Sequence, residues 1–129
     1  MAQSKKCVLV VEDDLFLRDI LSQKLIKSGF AIEGAGDATE AVAALERTSV
    51  DLILLDLLLP GIGGQEFLKS IKENEKFKNI PVIVASNLDT AEEKERVKAL
   101  GAVDYMIKAQ LTPLEVVERI KETLRGAYI

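Results

Sequence analysis

One acidic residue stands inside the most apolar run of the chain. The segment DLILLDLLLPGIGG, residues 51–64, is rich in leucine and isoleucine, and Asp56 follows its run LILL. Taking an isolated carboxylate fully into an apolar interior costs several kcal/mol. A residue chosen only for solubility would not be placed there, so Asp56 is a candidate for chemistry.

Other chemically capable side chains also follow apolar runs. They are Glu12, Asp13 and Asp14 after CVLVV, Ser86 and Asn87 after IPVIVA, and Lys108 after AVDYMI. If these runs are parallel strands of one sheet, their carboxyl ends meet at one rim, where ligands bind. Carboxylates crowded at that rim repel one another and need a cation. Oxygen ligands without histidine or cysteine suit Mg²⁺, and Lys108 can serve as a point charge for an anion.

Each of these residues also has a simpler interpretation. Acidic residues favour the first turn of a helix, so EDD alone could mark a helix start. Lys108 alone could be a solvated lysine. The complete set, placed at successive strand ends, is far more specific than any one member.

Composition limits the chemistry further. The chain has 129 residues, no histidine and one cysteine, Cys7, in an apolar run. The missing histidine excludes Ser-His-Asp hydrolysis, histidine metal sites, histidine kinases and phosphohistidine carriers. A net charge of −4 gives no reason to expect nucleic-acid binding. Without a signal peptide or a membrane-spanning run, we expect a soluble cytoplasmic protein.

The elements that position these residues alternate along the chain. The apolar runs, which we predict to be strands, cover 7–11, 30–35, 51–56, 80–85 and 102–107. Helical periodicity covers 14–28, 38–47, 65–74 and 91–100, and a last helix begins after the N-cap Thr112. Nearly continuous apolar strands are typical of a parallel sheet covered by helices on both faces. We expect Val42 and Leu114 to lie on the buried stripes of their helices.

The residues at the strand ends resemble those of the receiver domain of bacterial response regulators. The family has an acidic pair after strand 1, a phosphorylated Asp after strand 3, Ser or Thr after strand 4 and Lys after strand 5. The run DLLLPGIGG resembles the loop Asp-x-x-Met-Pro-x-Met-x-Gly of that family, with Pro60 and Gly64 in place. The resemblance implies a flavodoxin-like (βα)5 fold with strand order 2-1-3-4-5. It also implies one receiver domain over 1–129, with a core of about 6–125.

The resemblance implies a role for each acidic residue. Asp56 would attack the phosphorus of a phosphohistidine and become an aspartyl phosphate. Mg²⁺ would be held by Asp13, Asp56 and the backbone carbonyl of Leu58, with Asp14 acting through water. Glu12, just before the acidic pair Asp13 and Asp14, would modulate the site.

The resemblance also implies a switch and a set of partners. Lys108 and Ser86 would hold the phosphoryl oxygens, and Tyr105 would turn inward behind Ser86, although an aromatic residue there can also be simple packing. The face of helix 4, strand 5 and helix 5 would then change. The expected partners are a sensor histidine kinase or histidine phosphotransfer protein, and a second copy of the chain upon phosphorylation. Nucleic acid and membrane are not expected, and the protein would be a signalling phosphoacceptor rather than an enzyme.

The sequence departs from the family pattern at several positions. Ala109 follows Lys108 where the family usually has proline, and a cis bond before alanine costs about 3–4 kcal/mol, so we predict a trans bond. Asn87 replaces a small residue and would narrow the entrance to Asp56, which slows phosphotransfer. Leu58 and Leu88 occupy positions that commonly set autodephosphorylation. Neither can orient a water, so we predict a long-lived phosphoryl group.

Three other classes of function are alternatives, namely another enzyme of similar fold, a cofactor binder and a receiver-like module. A phosphatase of the haloacid dehalogenase type needs a second Asp two residues after Asp56, where this chain has Leu58, and a Toprim-like nuclease needs an Asp-x-Asp pair. A flavodoxin needs a Ser/Thr/Gly-rich phosphate loop, where this chain has EDDLF. A receiver-like module that acts without phosphorylation is also open, although every catalytic residue type is present.

Overall fold

Five short strands, each followed by a helix, account for most of residues 5–126, the part of the chain that the computed structural model describes. The strands are β1 (Cys7–Val11), β2 (Ala31–Ala35), β3 (Leu52–Asp56), β4 (Val82–Ser86) and β5 (Asp104–Ile107). The helices are α1 (Leu15–Lys27), α2 (Ala38–Arg47), α3 (Gly64–Lys72), α4 (Ala91–Ala99) and α5 (Pro113–Gly126). A single 3₁₀ turn, Lys108–Gln110, precedes α5.

All neighbouring strands pair in parallel, in the order β2-β1-β3-β4-β5. This confirms the predicted doubly wound α/β fold and its strand order. Every residue of β1 and β3 is buried, as expected for central strands covered on both faces. The sheet therefore delivers the residue at the end of β3 on a central strand that is fully buried.

Helices cover both faces of the sheet and form two separate apolar clusters. One cluster includes Leu45 of α2, Phe67 of α3 and Val97 of α4. The other includes Leu25 of α1 and Ile120 of α5. The cavity and the acidic rim described below lie on the α1 and α5 side.

Polar side chains mark the helix starts, and Thr112 caps α5 as the sequence predicts. Thr112 and Glu115 form a reciprocal capping box at α5, since each accepts the backbone amide proton of the other. At α2 the Asp37 carboxylate accepts from Glu40 N at 2.8 Å. These caps satisfy amide groups that have no partner within the helix.

Two predicted buried residues are exposed instead. Val42 is 40% exposed, because the buried stripe of α2 passes through the smaller Ala44. Leu114 is 58% exposed, because the stripe of α5 passes through Val116. Among residues 5–126, no helix combines the length and apolar character needed to cross a bilayer.

Candidate functional site at the strand ends

The predicted polar residues do converge at the carboxyl edge of the sheet. Asp56 is the last residue of β3 and Ser86 the last of β4. Glu12 follows β1 directly, and Lys108 follows β5 directly. Because all strands are parallel, four different segments bring these side chains to one rim.

Three carboxylates form a cluster at this rim. One oxygen each of Glu12, Asp13 and Asp56 lie within 4.8 Å of one another. Glu12 and Asp56 are buried, whereas Asp13 is exposed to solvent. A set of oxygen ligands that is open on one side fits a hard divalent cation such as Mg²⁺, which keeps several waters and takes one or two carboxylates.

Asp14 lies outside that cluster. Its carboxylate accepts from the backbone amides of Phe16 and Leu17, at 3.0 and 3.1 Å, and so caps α1. The acidic pair next to the strand is therefore Glu12 and Asp13, one position earlier than the sequence analysis placed it. For Asp14 the simpler interpretation, a helix start, describes its contacts, and a metal role through water remains a prediction.

Lys108 crosses the rim to reach two of the carboxylates. Its Nζ donates to Glu12 Oε1 at 2.5 Å and lies 3.4 Å from Asp56 Oδ2. Burial on its own would lower the pKa of Lys108, but the hydrogen bond from Lys108 to Glu12 and the charge of Asp56 outweigh burial and raise it. Lys108 is therefore held as a cation against the acidic cluster.

Glu12 has a larger part in the site than the sequence analysis gave it. Burial raises the pKa of its carboxyl, and the hydrogen bond from Lys108 offsets only part of that rise. Its backbone is fixed on both sides, by Glu12 N donating to Ala35 O and by Arg18 Nη1 donating to Glu12 O at 3.1 Å. Arg18, on α1, is a site-supporting residue that no motif in the sequence indicates.

The loop after β3 folds back onto Asp56. Leu58 N donates to Asp56 Oδ1 at 3.1 Å, which orients the carboxylate. Gly64 N donates to Leu57 O at 2.9 Å and closes the loop onto the start of α3. The Leu58 side chain itself is 66% exposed, so it contributes its backbone rather than its side chain to this arrangement.

Ser86 and Tyr105 contact the same loop residue. The Ser86 Oγ accepts from Leu88 N at 3.2 Å, and the Tyr105 hydroxyl donates to Leu88 O at 2.8 Å. Both Ser86 and Tyr105 are buried. Tyr105 lies inward in this structure, and its bond to Leu88 is more specific than packing alone, while its role as a switch stays a prediction.

The peptide bond that follows Lys108, just after β5, is trans as the sequence predicts. There is no cis peptide bond between residues 5 and 126, so the bond between Lys108 and Ala109 is trans. The chain then makes the 3₁₀ turn, and Ala109 N donates to Asn87 Oδ1 at 2.9 Å. Asn87 is exposed, and its amide oxygen faces Ala109.

A small apolar cavity of about 100 Å³ adjoins the rim. It lies between the sheet and helices α1 and α5. The residues that line it include Leu17, Leu21, Met106, Leu111 and Val116. Glu12, Asp56 and Lys108 also contribute to its wall, so the cavity lies directly against the charged rim.

Helix α4 is attached to α3 near this rim. The buried Glu93 carboxylate accepts from Gln65 Nε2 of α3 and from Arg96 Nη1 of its own helix. The charged run EEKERVK of α4 is therefore not a purely solvated face.

Comparison with known proteins shows which family the chain is similar to. The model of the family described as "Response regulator receiver domain" matches residues 8–121. The chain is 39% identical over 120 residues to "Phosphate regulon transcriptional regulatory protein PhoB" of Escherichia coli (strain K12), covering 92% of this chain and 51% of that protein. It is 37% identical over 118 residues to "Sensory transduction protein RegX3" of Mycolicibacterium smegmatis, covering 92% and 50%. The chain spans about half the length of these curated relatives.

Solved structures match over nearly the whole chain. The crystal structure of a response regulator receiver domain protein (CheY-like) from Methanospirillum hungatei JF-1 superposes with a TM-score of 0.86 at 29% identity. The match covers 95% of this chain and 96% of that one.

Proposed function

Since this chain belongs to the response regulator receiver domain family, we propose that it is the phosphoacceptor of a two-component system and carries the phosphoryl group on Asp56. The observation that supports this most directly is Asp56 itself, a buried carboxylate 3.4 Å from the Lys108 ammonium in a cluster that fits Mg²⁺. The donor would be a phosphohistidine on a sensor kinase or on a histidine phosphotransfer protein. The chain signals and does not act as an enzyme on other substrates.

The transfer is a displacement at phosphorus. A carboxylate oxygen of Asp56 forms the new P–O bond, the P–N bond of the donor breaks, and its electron pair goes to the imidazole nitrogen. The amide proton of Leu58 holds one Asp56 oxygen, and the Lys108 ammonium faces the other. Lys108 is therefore placed to neutralise the phosphoryl oxygens as they arrive.

Asp13, Asp56, Glu12 and the carbonyl of Leu58 are the groups that would hold Mg²⁺. When bound, the cation supplies charge neutralisation for the transferred phosphoryl group. The chain's own contribution is to present these oxygens from the ends of two adjacent strands and from the loop after β3.

The same contacts connect the site to the face formed by α4, β5 and α5. If the Ser86 hydroxyl turns to a phosphoryl oxygen, it releases the amide of Leu88. Leu88 also holds the Tyr105 hydroxyl through its carbonyl, so movement of this loop reaches β5. The face would then bind a partner protein or a second copy of the chain.

The test uses a small phosphodonor in place of the kinase. Incubation with acetyl phosphate and Mg²⁺ should add one phosphoryl group, seen by intact-mass spectrometry, and Asp56→Asn should remove that product. Chelating Mg²⁺ before the donor is added should prevent the reaction. If the wild-type chain takes no phosphoryl group, or Asp56→Asn is labelled equally, the proposal fails and the phosphorylation-independent module is favoured.

We expect a long-lived phosphoryl group on Asp56, and substitution at two exposed positions should shorten its lifetime. Leu58 and Leu88 are 66% and 45% exposed, so polar replacements there leave the core intact. The double variant Leu58→Asn with Leu88→Glu should speed decay roughly tenfold, since the new side chains can orient an attacking water.

The decay is measured by intact mass after the donor is removed. Ile26→Asn, a change at another exposed apolar residue at the far end of α1, serves as the matched control and should leave the decay rate unchanged. An equal decay rate in the double variant and the wild type would exclude the two leucines as the cause of a long lifetime.

A further inference from the structure

One hydrogen bond joins the two loops that carry Ser86 and Lys108. Asn87 directly follows Ser86, and Ala109 directly follows Lys108. The amide proton of Ala109 is donated to Asn87 Oδ1 over 2.9 Å, although the two residues are 22 positions apart. Ser86 and Lys108 are the residues expected to hold the phosphoryl oxygens. Each is therefore next in sequence to one partner of this hydrogen bond.

The 3₁₀ turn Lys108–Gln110 is otherwise held by the ion pairs of Lys108 with Glu12 and Asp56 and by few further contacts. None of its residues is buried, and the residue before it, Ile107, makes no side-chain capping bond. The first amides of a helical turn have no partner within the turn. Asn87 supplies one from outside, and Ala109 can use it because, unlike proline, alanine has an amide proton.

The hydrogen bond also explains why two unusual residues occur together. Asn87 and Ala109 are both departures from the receiver pattern, and the structure makes them partners. A small residue at 87 would leave the Ala109 amide to solvent, and proline at 109 would leave the Asn87 oxygen to solvent. Each departure supplies what the other needs.

We infer that Asn87 is a positioning residue for phosphoryl transfer, which acts through the Ala109 amide to hold the turn that carries Lys108 against the loop that carries Ser86. This inference rests on the proposed function, because it assigns Asn87 to the same reaction. The contact keeps the ammonium and the hydroxyl at a set spacing, and it makes movement of the Ser86 loop pull on the Lys108 turn.

The test separates the effect of the hydrogen-bond acceptor of Asn87 from the effect of the size of its side chain. Asn87→Leu keeps a side chain of similar size but has no acceptor, so it removes only the hydrogen bond. Asn87→Asp keeps both the size and an acceptor, and about 0.5 M salt screens its added charge. Asn87→Ala removes acceptor and bulk together, so its difference from Asn87→Leu measures the predicted narrowing of the entrance separately.

Two quantities are measured for each variant. The first is the initial rate of phosphorylation by acetyl phosphate with Mg²⁺, followed by intact mass. We expect Asn87→Leu to be about three- to tenfold slower than wild type, the effect of one neutral hydrogen bond, and Asn87→Asp to remain within about twofold. The second is solvent exchange of the Ala109 amide by NMR, which should be faster in Asn87→Leu and Asn87→Ala than in wild type.

Several results would overturn the inference. They are an Asn87→Leu variant as fast as wild type, equal slowing in Asn87→Leu and Asn87→Asp, or an Ala109 amide that exchanges as quickly in wild type as in Asn87→Leu. A wild-type chain that takes no phosphoryl group contradicts the proposed function instead. In that case the exchange measurement still decides whether the hydrogen bond exists.

Discussion

Replacing Lys108 by methionine should lower the free energy of unfolding of the metal-free protein by about 3–5 kcal/mol near neutral pH. The reason is that Glu12 and Asp56 are buried and Lys108 is the cation that contacts both. Methionine keeps the length and packing of the side chain but leaves two buried carboxylates uncompensated. Urea unfolding, followed by circular dichroism, measures the change.

The loss should depend on pH in a predictable direction. Burial already raises the pKa of Glu12, and Lys108 opposes that rise, so in the variant the pKa should be higher still. A carboxyl with a raised pKa favours folding while it is protonated and loses that contribution as the pH rises through its folded-state pKa. The variant should therefore be close to wild type at about pH 4 and fall below it at about pH 7.5.

Two controls identify the cause. Mg²⁺ should restore part of the lost stability, because a cation that binds the folded cluster replaces the missing ammonium. Lys98→Met, at an exposed position on α4, should change the stability by no more than about 0.5 kcal/mol. If Lys108→Met costs no more than Lys98→Met, the ion pairs at the rim contribute nothing measurable to folding.

The second large effect is expected at Gly64, where α3 begins. A Cβ atom there would lie 2.5 Å from Leu57 Cα, 2.8 Å from Leu57 O and 2.9 Å from Asp56 O. All three are backbone atoms, which cannot rotate away as a side chain can. Gly64→Ala should therefore push α3 away from the end of β3, cost about 3 kcal/mol or more, and displace Asp56.

Gly61, in the same loop, is the matched control. Its φ is +81°, and a Cβ added there has no atom within 4 Å. Gly61→Ala should therefore cost only the strain of the left-handed conformation, about 1–2 kcal/mol. Urea unfolding and phosphorylation rates of both variants test the difference, and equal losses in the two would show that close approach of α3 to β3 is not the cause.

Much of the site follows from where strands end. The leucines before Asp56 predict a central strand, and a carboxylate after such a strand must emerge at the rim, as it does. Lys108 and Ser86 are located by the same reasoning. The family resemblance then supplies the order of the strands, which local patterns do not contain.

Other features need distances that the sequence does not encode. If β1 ended one residue later, Asp14 rather than Glu12 would join Asp13 in the acidic cluster. The run EDD carries no signal that decides where the strand ends. The partnership of Asn87 with Ala109 joins two loops whose approach depends on the whole sheet. Val42 and Leu114 are exposed although helical periodicity predicts them buried. Periodicity gives the spacing of the buried stripe, but it does not show which of two neighbouring residues lies at the centre of that stripe.

The cavity under the rim gives this side of the molecule a distinct mechanical character. Close-packed interiors are nearly incompressible, and hydrostatic pressure favours states that eliminate internal voids. The cavity of about 100 Å³ beside Met106 and Lys108 is a place on the α1 and α5 side of the sheet where packing is incomplete, so we expect pressure to act there. It lies next to Asp56, so the residue at the end of a fully buried strand stands beside a compressible part of the core.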